Sequence, residues 1–569
     1  MAGSIVVERV KLAGLIGRKS IERIRRGMSG PLRLVAMLRV PVPERLLIAP
    51  SDIRTADPTI ADDIYAGYFC FAAKIVDTHG RSPFEVEGLS SQWQAALASF
   101  GWLRHLRAAD TALARANARV LVDDWMTLKG RPSQDAAWQP EVAASRLRSW
   151  LCQSPLILDG ADRTFYRRFM KSLGRHAAFL SAALTEGLPG ETRLSAVVAL
   201  AELGLCAEGM KKLQRRATRL LADELTREIL PDGGHISRNP QKLLALLLDL
   251  LPLRQTFAAR AVPAPPQLLN SIDRMLPMLR LFRHGDGALA LFNGMGVTAP
   301  DVVATILAYD DVNARALVNA PYSGYQRVAA NGSVLIMDAG RPPPPDFSAQ
   351  AHAGTLSFEF SVEGQPIIVN CGAPDPAATN LRQAARATAA HSTLVVSDVS
   401  SSRFASGSGI ERWLGHQIVA RPSNVPVTRR EEESGVTIEA SHDGYEQRFG
   451  LIHWRRLQLS ADGECLEGFD ALKASGRRVP GTVSAEYILR FHLHPSVLAE
   501  HFSDGRTLVL TVPSGARWQF SAGGRSVEIE ESVFFASPDG PRPTEQIVIR
   551  AKIRDVSTIA WRLERVAGG

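Results

Sequence analysis

A loop near the middle of the chain carries side chains that can bind an anion and move a proton. Residues 231–240 read PDGGHISRNP, so His235 and Arg238 lie three residues apart between two segments of helical periodicity. An imidazole titrates near neutral pH, and a guanidinium can bind a carboxylate through two parallel hydrogen bonds. A loop that only joins two helices needs neither group. The spacing therefore favours a site that holds a carboxylate and transfers a proton.

The same loop is expected to end one helix and begin the next. The PDGG sequence cannot continue a helix, whereas Asn239 and Pro240 are typical N-cap and first-turn residues. His235 and Arg238 would then lie at the mouth of a helix, where backbone N–H groups favour anions.

A second candidate histidine lies far downstream, in the sequence RATAAHSTL at residues 386–394. His391 follows two alanines in an extended pattern, which is equally typical of a buried, hydrogen-bonded histidine. Because the two histidines lie in regions of different secondary-structure pattern, we expect two parts of the chain to meet over one ligand.

The regions that must position these residues differ in periodicity. A chain of 569 residues is too long for one core. Residues 86–315 show amphipathic helices, such as those predicted over 91–107 and 162–186, while residues 316–569 show short β-rich segments between turn residues. Residues 1–85 form a basic arm and lead-in segment. The pattern predicts a helical domain followed by an antiparallel β-sandwich.

Charge and composition restrict the partners. The formal net charge is +8, and 56 of the 66 basic residues are arginine, which favours an acidic ligand. No nucleic-acid recognition motif accompanies this charge, so nucleic-acid binding is not expected. The five cysteines are scattered without metal-ligand spacing.

The termini and apolar segments bear on location. No apolar run is long enough to span a membrane, although the basic, apolar segment at residues 8–27 could contact an anionic membrane surface. The first residues lack the pattern of a signal peptide, which predicts a cytoplasmic location, with the periplasm or cell envelope as the alternative.

The order and spacing of several motifs resemble the heparinase II/III family of polysaccharide lyases. In chain order these motifs are DGGHISR at 232–238, AHAGTLSF at 351–358, IVNCG at 368–372, RATAAHSTL at 386–394, HDGY at 442–445, HWRR at 453–456 and LRFHLHP at 489–495. The resemblance covers most of the chain. It implies an α+β multidomain fold, with an incomplete (α/α) toroid followed by an antiparallel β-sandwich, and an acidic polysaccharide bound in the cleft between them.

The resemblance also implies a reaction, the β-elimination of a uronic acid unit. The proton on C5 becomes acidic when the neighbouring carboxylate is neutralised, a base removes it, and an acid protonates the departing oxygen. The family's catalytic histidines match His235 and His391, and its arginine matches Arg238. From the residues themselves, Asn239 can assist neutralisation, Asp286 and Asn293 can face the substrate, and Tyr445 can stack on a sugar ring.

One departure from the family pattern leaves alternatives open. Relatives carry an acid and base tyrosine some fifty residues beyond the loop histidine, but residues 255–305 contain no tyrosine. The alternatives are a glycan-binding protein that lost this tyrosine, and a toroid glycoside hydrolase, which would need two opposed carboxylates. The loops show no such pair, although Asp232 and Asp286 keep this alternative open.

A structural zinc ion is the one cofactor that the resemblance suggests. Relatives bind zinc in the β-domain through a histidine two residues after the catalytic one, where this chain has Thr393. His442, Asp443 and His453 remain as a candidate set of zinc ligands on adjacent strands.

Overall fold

The structure is a computed structural model that describes residues 40–310, 314–376, 378–405, 408–476, 486–502, 506–553 and 557–566, with residues 14, 16, 17 and 20. The predicted membrane-surface segment at residues 8–27 therefore lies almost entirely outside the described residues. Across the described ranges, no helix combines the length and apolar character needed to cross a bilayer.

Helices dominate the described residues before 310, and three short α-helices occur among the later described strands. The α-helices are α1 (Ile60–Ala66), α2 (Ser91–Ser99), α3 (Leu103–Ala109), α4 (Ala112–Leu128), α5 (Pro140–Cys152), α6 (Ser154–Leu158), α7 (Arg163–Glu186), α8 (Gly190–Cys206), α9 (Lys211–Glu228), α10 (Pro240–Ala259), α11 (Pro266–Phe282), α12 (Pro300–Leu307), α13 (Arg382–Arg386), α14 (Ser408–Leu414) and α15 (Glu446–Phe449).

Local sequence explains some of the helix ends. Thr111 accepts a hydrogen bond from the Ala114 N–H and caps α4, and Asp162 caps α7 in the same way. The helix predicted over 91–107 is instead two helices, because Phe100 adopts a left-handed conformation with φ of 59°. Its ring packs at 5.3 Å from Trp150, so tertiary burial overrides helical propensity there.

Strands follow, with one short hairpin among the helices. They are β1 (Tyr68–Phe71), β2 (Lys74–Asp77), β3 (Asn319–Ala320), β4 (Tyr325–Ala330), β5 (Ser333–Asp338), β6 (Phe358–Val362), β7 (Gln365–Val369), β8 (Leu394–Val396), β9 (Arg403–Phe404), β10 (Ile418–Ala420), β11 (Val427–Glu432), β12 (Gly435–His442), β13 (Leu451–Ser460), β14 (Cys465–Ala474), β15 (Glu486–Leu493), β16 (Leu498–His501), β17 (Thr507–Thr511), β18 (Arg517–Ser521), β19 (Glu528–Phe534), β20 (Arg542–Lys552) and β21 (Thr558–Arg565).

The chain forms two compact units, and neither of them is continuous in sequence. One unit comprises residues 1–19, 229–245 and 274–569, and the other comprises residues 20–228 and 246–273. The loop with His235 therefore belongs to the same compact unit as all the strands after residue 316. The domain boundaries predicted after residues 85 and 315 stay predictions.

The helical unit is built from helices that pack against sequence neighbours and against helices further along the chain. α8 packs on α9 and on α5, and α5 also packs on α2 and α7. Its core holds the rings of Trp125, Trp138 and Trp150 around the buried Arg146 guanidinium, whose central carbon lies 4.0 Å from the Trp125 ring centre.

The β unit is a sandwich of two antiparallel sheets. One sheet has the order β11-β12-β13-β14-β21-β18-β17-β16, and the other has the order β19-β20-β15-β7-β6-β5-β4-β3, with β8 paired to β15. A common apolar core between them includes Phe358, Phe491, Trp518 and Trp561. Strands such as β13 bury every second residue, as a sheet with one solvated face requires.

Two strands, β8 and β7, pair with successive parts of one edge of β15, and the split between them positions the segment that carries His391. The same edge of β15 pairs with β8 at Tyr487 to Leu489 and with β7 at His492 and Leu493. Residues 370–393 leave the sheet between these two pairings. The Ser392 hydroxyl closes the split, because it donates to the Val369 carbonyl at 2.7 Å and accepts from the His492 N–H at 2.9 Å. This arrangement fixes the position of His391.

A buried carboxylate beneath this segment holds it to the second sheet. Asp470 accepts hydrogen bonds from Arg455 at 2.8 Å and Trp561 at 3.0 Å, and Arg455 also donates to the carbonyls of Leu356 and Ser392. Burial opposes the charge of Asp470, but Arg455 prevails and lowers its pKa to about 2. The residues next to His391 are thus tied to the core.

Candidate active site in the β unit

Asp232 anchors the histidine loop to the start of the β-sandwich. One carboxylate oxygen accepts the backbone N–H groups of Tyr322 at 2.8 Å and Ser323 at 2.7 Å, and the other accepts the Gly234 N–H. A Cβ at Gly234 would lie 2.6 Å from the Ser323 Cβ, so a side chain does not fit there. Asp232 is therefore committed to the loop and is not placed as a hydrolase carboxylate.

Arg238 lies inside this anchor. Its guanidinium donates to Asp338 Oδ1 at 2.6 Å and to the carbonyls of Ser323, Gly324 and Gly340, and only 5% of the residue is exposed. Although burial disfavours the charge, Asp338 keeps the pKa of Arg238 above its ordinary value. The predicted carboxylate-binding role of Arg238 stays a prediction, but its contacts are those of a residue that positions the loop.

Asn293 and Tyr325 complete the same buried cluster. Asn293 Nδ2 donates to the Tyr325 hydroxyl at 2.8 Å and to Asp338 Oδ2 at 3.0 Å, and the Tyr325 hydroxyl donates to the Arg238 carbonyl at 2.6 Å. Arg238 and Asn293 both adopt positive φ values, 59° and 49°. Such backbone strain is typical of functional regions that the surrounding structure holds in place.

His235 is buried in the loop, at 2% exposure, and has a defined tautomer. Its Nδ1 accepts the Ser237 N–H at 3.2 Å and lies 2.7 Å from the Ser237 hydroxyl, so the neutral ring carries its proton on Nε2. The ring lies 6.1 Å from that of Phe347, and Asn239 Nδ2 donates to Gln350 Oε1 at 3.2 Å. The loop thus contacts residues 347–350.

Two histidines form a hydrogen-bonded pair that begins two residues beyond Gln350. His391 Nδ1 donates to the Ala387 carbonyl at 2.8 Å, which leaves His391 Nε2 as an acceptor. His352 Nδ1 lies 3.0 Å from that Nε2 and must therefore donate to it. The pair directs its unprotonated nitrogen, Nε2 of His352, away from His391.

Burial keeps both imidazoles of this pair neutral at pH 7. Burial lowers the pKa of His391 to about 4, although the Ala387 carbonyl opposes the shift. Burial, His391 and Arg386 together hold the pKa of His352 well below its ordinary value. Gly354 packs against the His391 ring, since a Cβ there would lie 2.6 Å from His391 Cδ2.

The remaining predicted binding residues are dispersed. Asn239 caps α10 by accepting the Gln241 N–H at 2.8 Å. Asp286 lines a separate cavity of about 410 Å³ with His284 and Glu359. The Tyr445 ring is buried, and its hydroxyl donates to the Leu394 carbonyl at 2.9 Å. Tyr445 was expected to stack on a sugar, and this burial corrects that expectation.

The predicted zinc ligands have other partners. His442 Nδ1 accepts the Gly444 N–H, His453 Nε2 donates to Asp470 at 2.7 Å, and the Asp443 carboxylate accepts the Ser423 N–H at 2.8 Å. His442 and His453 contact each other, with nitrogens 3.4 Å apart. Among the described residues, no three His, Cys, Asp or Glu side chains are grouped to hold a metal ion. This arrangement of donors does not fit zinc.

Sequence reasoning missed several members of the site. His352 lies in the motif AHAGTLSF, but the sequence favours a structural histidine there, and nothing in it indicates the contact with His391 across 39 positions. Tyr325 begins β4 and Asp338 ends β5, and neither position belongs to a recognisable catalytic spacing. Arg386 begins the motif RATAAHSTL, which was the one available signal for its place near His391.

Comparisons with known proteins bear on this geometry. Residues 313–562 match the family described as Heparinase II/III-like, C-terminal. The chain is 32% identical to FtsZ-localized protein C of Caulobacter vibrioides over 559 residues, which cover 95% of this chain and 93% of the relative. The chain belongs to the heparinase II/III family.

Solved structures confirm the predicted fold class, an incomplete (α/α) toroid followed by an antiparallel β-sandwich. A crystal structure of heparinase III matches with a TM-score of 0.67 and 14% identity, covering 86% of this chain and 80% of that one. The heparan sulfate lyase HepC from Pedobacter heparinus matches with a TM-score of 0.59 and 15% identity, covering 98% and 91%. At such identities the likeness shows the fold alone.

Relatives in the heparinase II/III family use a tyrosine as acid and base, and this chain lacks a tyrosine at residues 255–305. Tyr309, Tyr322, Tyr325 and Tyr445 are the candidates to replace it, and of these Tyr325 and Tyr445 are buried and donate to backbone carbonyls. Burial raises the pKa of both phenols, which opposes their ionisation. Tyr322 is 66% exposed beside the anchored loop, and Tyr309 follows α12. The neutral histidine pair, in contrast, offers an acceptor nitrogen without prior ionisation.

Proposed function

We propose that this protein cleaves a uronate-containing polysaccharide by β-elimination and that His352 is its base. The observation that carries the proposal is the imidazole pair, in which an ordered hydrogen-bond chain leaves a lone pair on His352 Nε2. A base of this kind is what the missing tyrosine would otherwise supply. The family fold, which it shares with heparinase III, supports a polysaccharide as the substrate.

The proton balance of the reaction can be assigned to named atoms. His352 Nε2 takes the C5 proton, the electrons of that bond form the C4–C5 double bond, and the C4–O bond breaks. The departing oxygen takes the proton of His235 Nε2, and solvent then restores both rings. His391 orients His352, because its Nε2 accepts the His352 Nδ1–H and so keeps the lone pair of His352 on Nε2.

The test is an assay for the product with its new conjugated double bond. We expect ultraviolet absorbance to rise when the protein meets at least one of heparan sulfate, chondroitin, hyaluronan, alginate or a bacterial envelope glycan. New reducing ends without absorbance would indicate hydrolysis instead. Binding without either signal would leave the protein as a non-catalytic glycan-binding member of the family, and would contradict the proposal.

A second function is favoured by the relative from Caulobacter vibrioides. Because the 32% identity extends over 95% of the chain and that protein is named for its localisation with FtsZ, we propose that this chain also localises with FtsZ. A fluorescent fusion should form bands that coincide with FtsZ and disperse when FtsZ is depleted. Even distribution in the presence of FtsZ bands would refute this proposal. The predicted cytoplasmic location would be tested in the same cells.

A further inference from the structure

Arg386 differs from the other buried arginines of the β unit. Arg238 is paired with Asp338, and Arg455 is paired with Asp470. Arg386 is 1% exposed, yet within the described residues no carboxylate pairs with it. An isolated buried charge is costly unless a counter-ion arrives.

The guanidinium of Arg386 also keeps one nitrogen without a protein partner. Its Nε donates to the Ala351 carbonyl at 2.8 Å, and one terminal nitrogen donates to the Ser348 carbonyl at 3.0 Å. The other terminal nitrogen is buried and has no hydrogen-bond partner among the described residues. Native proteins rarely leave such a donor unused, so this nitrogen indicates the position of an acceptor.

The contacts of Arg386 place this charge beside the proposed base. Arg386 binds the carbonyl of Ala351, and its own carbonyl accepts the Ala353 N–H at 2.9 Å, so it is tied to both neighbours of His352. Its positive charge is close enough to disfavour protonation of His352. The Phe404 ring lies over the guanidinium at 4.2 Å and covers the group on one side.

We propose that Arg386, and not Arg238, binds the carboxylate of the substrate. The acceptor is a planar monoanion, the C6 carboxylate of a hexuronate, which would supply both the missing counter-charge and the partner of the unused nitrogen. This inference rests on the proposed function, since it names the residue that neutralises the substrate for the base at His352.

The carboxylate would act on the chemistry as well as on binding. The negative charge of a free carboxylate makes the neighbouring C5–H bond less acidic. Once Arg386 neutralises that charge, the C5 proton is easier to remove. The bound anion also offsets the repulsion that Arg386 exerts on a protonated His352. Binding of a uronate thus prepares both the substrate and the base.

The first experiment compares glucuronate with glucose as probes, using calorimetry on the full chain. We expect wild-type protein to bind glucuronate more tightly than glucose, and Arg386→Lys to reduce that preference by about tenfold to a hundredfold, as loss of a charge-assisted hydrogen bond predicts. Arg327→Lys is the matched control, because Arg327 also donates to backbone carbonyls and, among the described residues, forms no ion pair with a carboxylate. An unchanged preference in folded Arg386→Lys would overturn the proposal.

A measurement on unaltered protein covers the case in which Arg386→Lys fails to fold. In a crystal of the wild-type chain with glucuronate, the carboxylate should lie within hydrogen-bond distance of the unused Arg386 nitrogen. A carboxylate bound only elsewhere would overturn the proposal. If glucuronate lies at Arg386 but no glycan yields an unsaturated product, the carboxylate site stands and the lyase proposal fails. If product forms with Arg386→Lys at wild-type KM and kcat, the lyase proposal stands and the carboxylate site at Arg386 fails.

Discussion

Replacement of His352 by glutamine is expected to lower kcat for uronate elimination by about 10²- to 10⁴-fold, the usual contribution of a general base. Glutamine keeps the volume and one donor toward His391 Nε2, but it offers no basic nitrogen to the C5 proton. KM for the polysaccharide should change much less than kcat, because His352 is proposed to act on the proton and not on the bound chain. The measurement is steady-state kinetics of ultraviolet product formation.

A second buried histidine pair provides the control for this prediction. His442 contacts His453 as His352 contacts His391, and burial lowers the pKa of His442 as well. His442→Gln should therefore show a similar structural perturbation with wild-type kcat. Equal losses of kcat in the two variants would indicate that the effect of His352→Gln is structural.

The pH profile gives the same prediction a second readout. The base must be unprotonated, and the pKa of His352 lies well below the ordinary value of about 6.5. On lowering the pH, kcat/KM should therefore remain on its plateau at pH 6.5 and fall only under more acidic conditions. A fall centred above pH 7 would assign the base to another group.

Replacement of Asp338 by asparagine is expected to lower the free energy of unfolding by about 3–5 kcal/mol, because it leaves the buried Arg238 charge without a partner. Asp338 also accepts from Asn293, so both backbone positions with positive φ lose support. The measurement is denaturant unfolding at neutral pH, with the midpoint and slope fitted together.

A double-mutant cycle separates the ion pair from the general loss of contacts. Arg238→Met in the Asp338→Asn background removes the unpaired charge, so the double variant should be more stable than the sum of the single changes predicts. We expect a coupling energy of about 2 kcal/mol. Zero coupling would show that the guanidinium does not depend on Asp338, and would return Arg238 to the role of substrate ligand.

The contacts of Arg238 also explain why the loop histidine can be recognised in a chain that departs from its family elsewhere. Asp232 and Arg238 hold the loop against residues 322–340, and the fold needs both whether or not catalysis occurs. The match of the motif at residues 232–238 is therefore evidence for the structure of the loop as much as for its chemistry. The chemistry depends on what faces His235 from the segment at 347–352.

Sequence alone determined that a helical region precedes a β region, and it indicated the family, because amphipathic period, turn residues and motif order are local properties of the chain. It also indicated His235, whose neighbours are unusual for a connecting loop, whereas His391 became a candidate through the family resemblance, since its own context is equally typical of a buried histidine. Caps such as Asp162 could be read directly, because an N-cap acts on backbone groups only two or three residues away.

Only the tertiary structure decided which polar groups are paired. Arg238 and Arg386 are indistinguishable as letters, yet Asp338 neutralises the first from 100 positions away, and no described carboxylate neutralises the second. His352 and His391 meet because residues 370–393 leave the sheet at the split beside β15, a consequence of strand pairing between residues such as Tyr487 and Val396, and His492 and Val369, that lie far apart in sequence. Burial and long-range hydrogen bonds set charge and tautomer, and these depend on neighbours in space that the order of residues does not specify.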